Sequence, residues 1–311
     1  MHLFVYSDLP APARTLLEQQ LPPATTVVFR TDLPAAQQLA ALQQAEVLLG
    51  NPPPAWLAEG GPPALRLWQL DSAGFDRYQG LQMAGQVANM GDFFAWPCAE
   101  TMVAGLLAHY RAVPELVRLQ SQQRWDSLGV RARTGLLRGK RVVVLGAGAI
   151  AQALRQQLAG FECQVQLLAR TNPAADLHSR DELLRVLPAT DIVVNCLPGS
   201  AGPFVGPALL AALPPGAVYA SVGRGTTTDE PALLEALGAG HLAGAVLDVM
   251  ATEPLPAGHP FWTMPQVLLT QHTGGGQPDE AEGKVAQLLR NLAHLQAGQP
   301  LENPVRLSQG Y

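Results

Sequence analysis

Charge is sparse in this chain: Asp, Glu, Lys and Arg make up 14% of its 311 residues, against about a quarter in an ordinary soluble domain. So little charge suits a protein with much buried or subunit-contacting surface. There is no basic run, and the formal charge is −5, which argues against nucleic acid as a main partner. Cysteine is scarce as well. Cys98, Cys163 and Cys196 are odd in number, widely spaced and set in apolar contexts. Neither a disulfide framework nor a metal site is expected, and buried thiols in a reducing cytoplasm are. No apolar run approaches the roughly 18 residues of a membrane span. Met1–Asp8 lacks a signal peptide's charged start and long apolar core and reads directly as a strand. A cytoplasmic protein of two ordinary domains remains.

What the chain does have is a strand–turn–helix–strand unit over 139–171. Arg141–Leu145 is a short β-branched run, Ala149–Leu158 reads as helix and Gln164–Ala169 as a second buried strand. The turn holds Gly146-Ala147-Gly148-Ala149-Ile150-Ala151. Gly146 allows the tight turn, Gly148 a close approach to a pyrophosphate, and Ala151 close helix–strand packing. The helix N-terminus offers unpaired N–H groups to the phosphates. An NAD site places a carboxylate about 20 residues beyond the glycines, but this strand ends Ala169-Arg170-Thr171. A guanidinium beside a hydroxyl suits a 2′-phosphate. NADP(H) is therefore the preferred cofactor and NAD(H) the alternative.

Residues 1–90 alternate short apolar runs (3–6, 26–29, 46–49, 65–70, 86–88) with helical patches at 11–20 and 34–44. That pattern is an α/β domain with a parallel sheet. Leu70-Asp71-Ser72-Ala73-Gly74 ends one of its strands in a turn able to hold a small anion. Trp96–Arg111 and Glu115–Arg124 read as helices, and 125–138 as an aperiodic loop or an arm against a partner subunit. From 139 onward strands fall near 141–145, 164–169, 191–195, 217–221, 244–248 and 267–270, with helices between them. Six such strands make a full doubly wound dinucleotide domain. A last helix over 279–296 is placed against the first domain. The fold class is thus α/β with two doubly wound parallel-sheet domains. Residues 1–95 with 276–311 form a flavodoxin-like substrate domain, and 96–275 the Rossmann dinucleotide-binding domain.

Three strand ends of the second domain carry reactive side chains: Arg224, Glu253 and His272. Ligands bind beyond the carboxyl ends of the strands in an open parallel sheet. Arg224 can fork onto a carboxylate and a carbonyl oxygen. His272 can donate the proton a new hydroxyl needs, and Glu253 can hydrogen-bond and orient that imidazole. This set suits reduction of a 2-keto acid.

At these residues the whole chain resembles the D-isomer-specific 2-hydroxyacid dehydrogenases, and within them the glyoxylate/hydroxypyruvate reductase branch. The matching stretches are Gly146–Ala151, Arg224-Gly225, Leu247-Asp248-Val249, Glu253-Pro254-Leu255-Pro256 and Thr270-x-His272. The resemblance implies that Arg224, Glu253 and His272 are catalytic and that Asp248 holds the nicotinamide carboxamide. It implies that Ser72, Ala73 and Gly74 present backbone amides to the substrate carboxylate. Leu197-Pro198, Val222-Gly223 and Gly274-Gly275 match backbone that lines the cofactor. Members are typically homodimers joined through the cofactor domains, which would account for the 125–138 arm. The substrate implied is a small 2-keto acid of the glyoxylate/hydroxypyruvate type. The alternatives are a larger aryl or branched acid and a non-catalytic NAD(P)-sensing protein. Departures from the family pattern are Gln271 for Pro, Thr273 for an aliphatic residue, Ser221 for Asn and Met250 for Phe. The loss of Pro before His272 is expected to loosen the backbone there.

Overall fold

Alternation along the first strand decides which face each side chain covers. Leu3 and Val5 join one apolar cluster and Phe4 another, as the two-residue period of a strand requires. In the computed structural model, which describes residues 1–308, the chain divides into two compact units. One is Met1–Phe93 with Gln277–Tyr311 and the other Phe94–Gly276. Residues 309–311, the last of the expected substrate domain, lie outside the described residues.

The first unit contains β1 (His2–Val5), α1 (Ala11–Gln20), β2 (Thr26–Phe29), α2 (Ala35–Leu42), β3 (Val47–Leu49), β4 (Leu67–Gln69) and β5 (Gln86–Ala88). The strands are parallel, in the order β2-β1-β3-β4-β5. All of β3 and β4 is buried, which is why they read as apolar runs without alternation. The C-terminal helix Glu280–Gln296 returns to this sheet and sets Val285, Leu288 and Leu292 against Leu3, Leu17 and Leu67. Its buried Asn291 donates to Gln69 Oε1 at 2.7 Å, pinning the strand that leads into Ser72–Gly74.

The second unit opens with α3 (Ala95–Tyr110), α4 (Val113–Ser121) and α5 (Ser127–Arg131). It continues through β6 (Arg141–Leu145), α6 (Ala149–Ala159), β7 (Gln164–Leu168), α7 (Arg180–Val186), β8 (Ile192–Asn195), α8 (Pro207–Ala212), β9 (Ala217–Ser221), α9 (Glu230–Gly238), β10 (Leu242–Leu247) and β11 (Val267–Leu269); the C-terminal helix of the first unit is α10. The sheet is parallel, in the order β11-β10-β9-β8-β6-β7. α3 and α6 contribute Met102, Leu106, Ala151 and Leu154 to the core on one face. α7, α8 and α9 contribute Leu183, Leu209 and Leu233 on the other. The order reverses at β6 and β8, and that reversal opens a crevice at their carboxyl ends.

Two local features differ from the sequence pattern. α4 begins at Val113, not after Pro114, because Pro at the second helical position lacks only an N–H that the first turn leaves unpaired anyway. The arm expected to be aperiodic contains α5, a single turn held by Asp126, whose side chain accepts from Gly129 N at 3.0 Å.

Candidate active site

The Gly-rich turn joins β6 to α6. Gly146 has φ +117°, a value L side chains rarely reach, so glycine is required there. Ala147 is buried, whereas Gly148 and Ala149 are exposed. A side chain on Gly148 would meet no atom within 4 Å, so open space lies over the start of the helix. The N-cap Gly148 supplies no side-chain acceptor, and the first N–H groups of α6, including those of Ala149 and Ile150, have no carbonyl of their own helix to bond. This is the cradle a pyrophosphate needs.

One strand over, Arg170 and Thr171 follow β7 and are exposed. Asn172 folds their turn back, donating from Nδ2 to the Ala147 carbonyl at 2.9 Å. His178 sets Nδ1 2.9 Å from the Ala169 carbonyl. Motif reading missed both, since neither belongs to a recognised spacing.

Leu197 and Pro198 follow β8 on the other side of β6. Asn195, fully buried at the end of β8, controls this region. Its Oδ1 accepts from Leu197 N at 3.1 Å, and its backbone carbonyl from Val222 N at 3.0 Å and Gly223 N at 3.1 Å. Its Nδ2 donates to Thr227 Oγ1 at 2.7 Å, and Thr227 in turn donates to the Arg224 carbonyl at 2.6 Å. One amide thus ties the two loops the sequence assigns to the cofactor to the backbone of Arg224. It was missed because a buried Asn in an apolar strand carries no motif. Arg224 Nη1 donates to the Gly223 carbonyl at 3.0 Å.

Arg224, Glu253 and His272 follow three neighbouring strands, β9, β10 and β11. The structure brings the last two into contact: His272 Nδ1 lies 2.6 Å from Glu253 Oε2. The other carboxylate oxygen of Glu253 accepts from Met250 N at 2.8 Å, which fixes its direction. Asp248 is buried and faces inward from the same strand end. Its Oδ1 accepts from Thr270 Oγ1 at 2.5 Å and from Thr273 N and Gly274 N at 3.1 Å each, and its backbone carbonyl accepts from His272 N at 2.6 Å. The loop carrying His272 is therefore clamped, not loose. Gln271 and His272 both have positive φ, 53° and 56°. Proline cannot adopt that conformation, which accounts for its absence. Gly274 is buried in this clamp and Gly275 packs beside Phe94. Nearby Cys98 is pushed up to about 12 by burial and by the Asp248 carboxylate, with Arg224 opposing.

A cavity of about 360 Å³ adjoins the dyad, lined by Glu253 and His272 and by Leu247, Met250, Leu255, Trp262 and Leu269. In the first unit, the Ser72, Ala73 and Gly74 carbonyls accept from Met90 N at 3.1 Å, Asn89 Nδ2 at 2.5 Å and Ser72 Oγ at 2.7 Å. The Ala73 and Gly74 N–H groups have no partner among the described residues. Occupied carbonyls with free amides make a loop suited to an anion.

Residues 103–274 match the NAD binding domain of the D-isomer specific 2-hydroxyacid dehydrogenases. The chain belongs to this family. It is an oxidoreductase with a nicotinamide dinucleotide-binding domain. It is similar to glyoxylate/hydroxypyruvate reductase A of Serratia proteamaculans, 32% identical over 219 residues, 68% of either chain. A relative of the same name from Photorhabdus laumondii is 29% identical over 297 residues, 93% of this chain and 85% of its own. A solved D-isomer specific 2-hydroxyacid dehydrogenase from Xanthobacter autotrophicus Py2, in complex with NADPH and MES, has a TM-score of 0.82 at 28% identity, covering 100% of this chain and 99% of that one. Among the described residues no helix of this dehydrogenase is long and apolar enough to cross a membrane.

Proposed function

We propose that this dehydrogenase reduces a small 2-keto acid of the glyoxylate/hydroxypyruvate type to the D-2-hydroxy acid with NADPH, and that His272 is the proton donor. The observation that carries the reading is the 2.6 Å contact of His272 with Glu253 at the carboxyl end of the sheet, one strand from Arg224. The relatives named glyoxylate/hydroxypyruvate reductase and the NADPH complex of the similar structure support it.

For the cofactor, the residues fit. Gly146–Ile150 would hold the pyrophosphate, Arg170 and Thr171 the 2′-phosphate. Leu197, Pro198, Val222, Gly223, Gly274 and Gly275 would line the dinucleotide, with Asp248 at its nicotinamide end. When bound, NADPH supplies the hydride. The chain does the rest. Arg224 anchors the substrate carboxylate and polarises the carbonyl, and the free Ala73 and Gly74 amides are assigned to a carboxylate as well. The carboxylate of Glu253 can only accept, so Nδ1 of His272 carries the hydrogen between them. That leaves Nε2 as the nitrogen that delivers a proton to the developing alkoxide.

We further assign the enzyme to the cytoplasm, because three free cysteines suit a reducing compartment. We assign it to a homodimer because its four most exposed large apolar side chains lie on α4, α5 and the arm. Trp125 is 90% exposed, Leu128 81%, Leu136 62% and Val117 59%, and a water-facing patch of this kind marks an association surface.

The test is NADPH oxidation followed by absorbance with glyoxylate, hydroxypyruvate and phenylpyruvate, repeated with NADH. Turnover on the two small acids, with kcat/KM at least about tenfold higher with NADPH, is expected from the guanidinium at the 2′ position. Equal efficiency with NADH would sink the cofactor preference. The apolar cavity beside the dyad favours a second reading, a larger aryl or branched 2-keto acid. Fastest turnover on phenylpyruvate would establish it.

A further inference from the structure

Arg170 stands exposed at the end of β7 with no hydrogen-bond or ion-pair partner among the described residues. A second group capable of positive charge sits on the preceding residue. The His178 ring bonds the Ala169 carbonyl through Nδ1 at 2.9 Å. A carbonyl only accepts, so Nδ1 holds a hydrogen in every protonation state. Nε2 has no partner among the described residues, and the residue is exposed. The backbone holds this placement from both sides: Ala169 N donates to the Leu177 carbonyl at 3.0 Å, and His178 N to Glu182 Oε2 at 2.6 Å. A neutral imidazole in this tautomer presents a bare lone pair at Nε2, which repels a phosphate oxygen. An imidazolium presents an N–H there.

We propose that His178 is a specificity-determining residue for the cofactor 2′-phosphate, binding it as imidazolium through Nε2 beside Arg170, with uptake of one proton from solvent when the ring starts neutral. The proposal rests on the NADPH reading. The charged groups around the ring have fixed roles. Glu182, on α7, accepts the His178 backbone N–H and also faces the charges of Arg185 and the His178 ring, which together hold its carboxyl below the usual range. Arg180, Asp181 and Arg185 lie on the same helix. Asp176, from the preceding turn, is ion-paired with Arg155 of α6. None of these neighbours is an imidazole, so a proton taken up on binding near neutral pH is assigned to the His178 ring. The phosphate also titrates, near pH 6, but binding to cations makes it release a proton, so net uptake identifies the histidine.

The full-length enzyme is titrated calorimetrically with 2′,5′-ADP and with 5′-AMP at about pH 6 and about pH 7.5, in two buffers of different ionisation enthalpy. The wild type is expected to prefer 2′,5′-ADP and to take up protons on binding it at the higher pH. His178→Asn, which keeps a donor for the Ala169 carbonyl, should lose that uptake and about tenfold of the 2′,5′-ADP affinity at the lower pH, and should bind 5′-AMP unchanged. His178→Arg, charged at every pH, should retain the affinity without the uptake. If His178→Asn matches the wild type in affinity and proton uptake while the preference for 2′,5′-ADP stands, the role of His178 is wrong and the NADPH reading survives. Equal binding of the two nucleotides by the wild type would overturn both.

Discussion

At the residue scale the arrangement asks most of Arg224 and His272. A positioned general acid contributes about 10²–10⁴ in rate, so His272→Ala should lower kcat by that order, and Arg224→Ala should cut kcat/KM comparably. NADPH affinity, measured by fluorescence titration, should hold in both. Near-normal turnover in either variant would remove its assigned role. The thiols give a second residue-scale prediction. Burial pushes Cys98 up to about 12, with Asp248 adding to it, and burial also raises Cys163 and Cys196. Since the thiolate is the reactive form, the native enzyme should consume almost no aromatic disulfide reagent at about pH 8, whereas three thiols should titrate after unfolding. A thiol with a raised folded pKa contributes its full stability below its unfolded value, about 8.5, and loses it as pH rises towards the folded value. Midpoints for guanidinium unfolding should therefore decline on the alkaline side of that value. A rapidly reacting thiol in the folded enzyme would contradict the burial.

At the element scale the loop after β11 is the part most open to test. It turns through two consecutive left-handed residues, Gln271 and His272, and an L residue there costs about 1–2 kcal/mol. Asp248 offsets that cost by accepting from Thr270, Thr273 and Gly274. Gln271→Gly should thus keep activity and raise stability by roughly 1 kcal/mol. Gln271→Pro, which restores the residue common in the family, fixes φ near −65° and should break the clamp. Its kcat should fall more than about tenfold, with a lower Tm. Full activity with an unchanged Tm in Gln271→Pro would mean the loop is not held as described.

At the scale of the whole molecule, the exposed apolar surface of α4, α5 and the arm sets the expected assembly. Light scattering after size exclusion should give a mass of about twice the 33.0 kDa chain. Trp125→Glu with Leu128→Glu should shift the mass towards one chain and leave 2′,5′-ADP binding in place. A double variant that remains dimeric would move the interface elsewhere, and a monomeric wild type would remove it.

Most of the architecture is legible in the sequence because it is local in origin. The strand pattern gives eleven strands at nearly their final positions. The turn at Gly146 follows from a φ only glycine adopts freely. Arg224, Glu253 and His272 can be set at the same end of one sheet in advance because parallel strands all present their carboxyl ends to one side, and the structure puts Glu253 and His272 in contact. What the sequence could not state are contacts between residues far apart along it. The Asn195 amide joining Leu197 to Thr227, the Asp248 carboxylate clamping residues 270–274, and the imidazole of His178 over the Ala169 carbonyl all follow from register and packing. A buried Asn, an inward Asp and an exposed His are each unremarkable as letters. Their roles exist only once neighbouring strands bring donor and acceptor within hydrogen-bond distance, because desolvated polar groups must find partners wherever the fold places them.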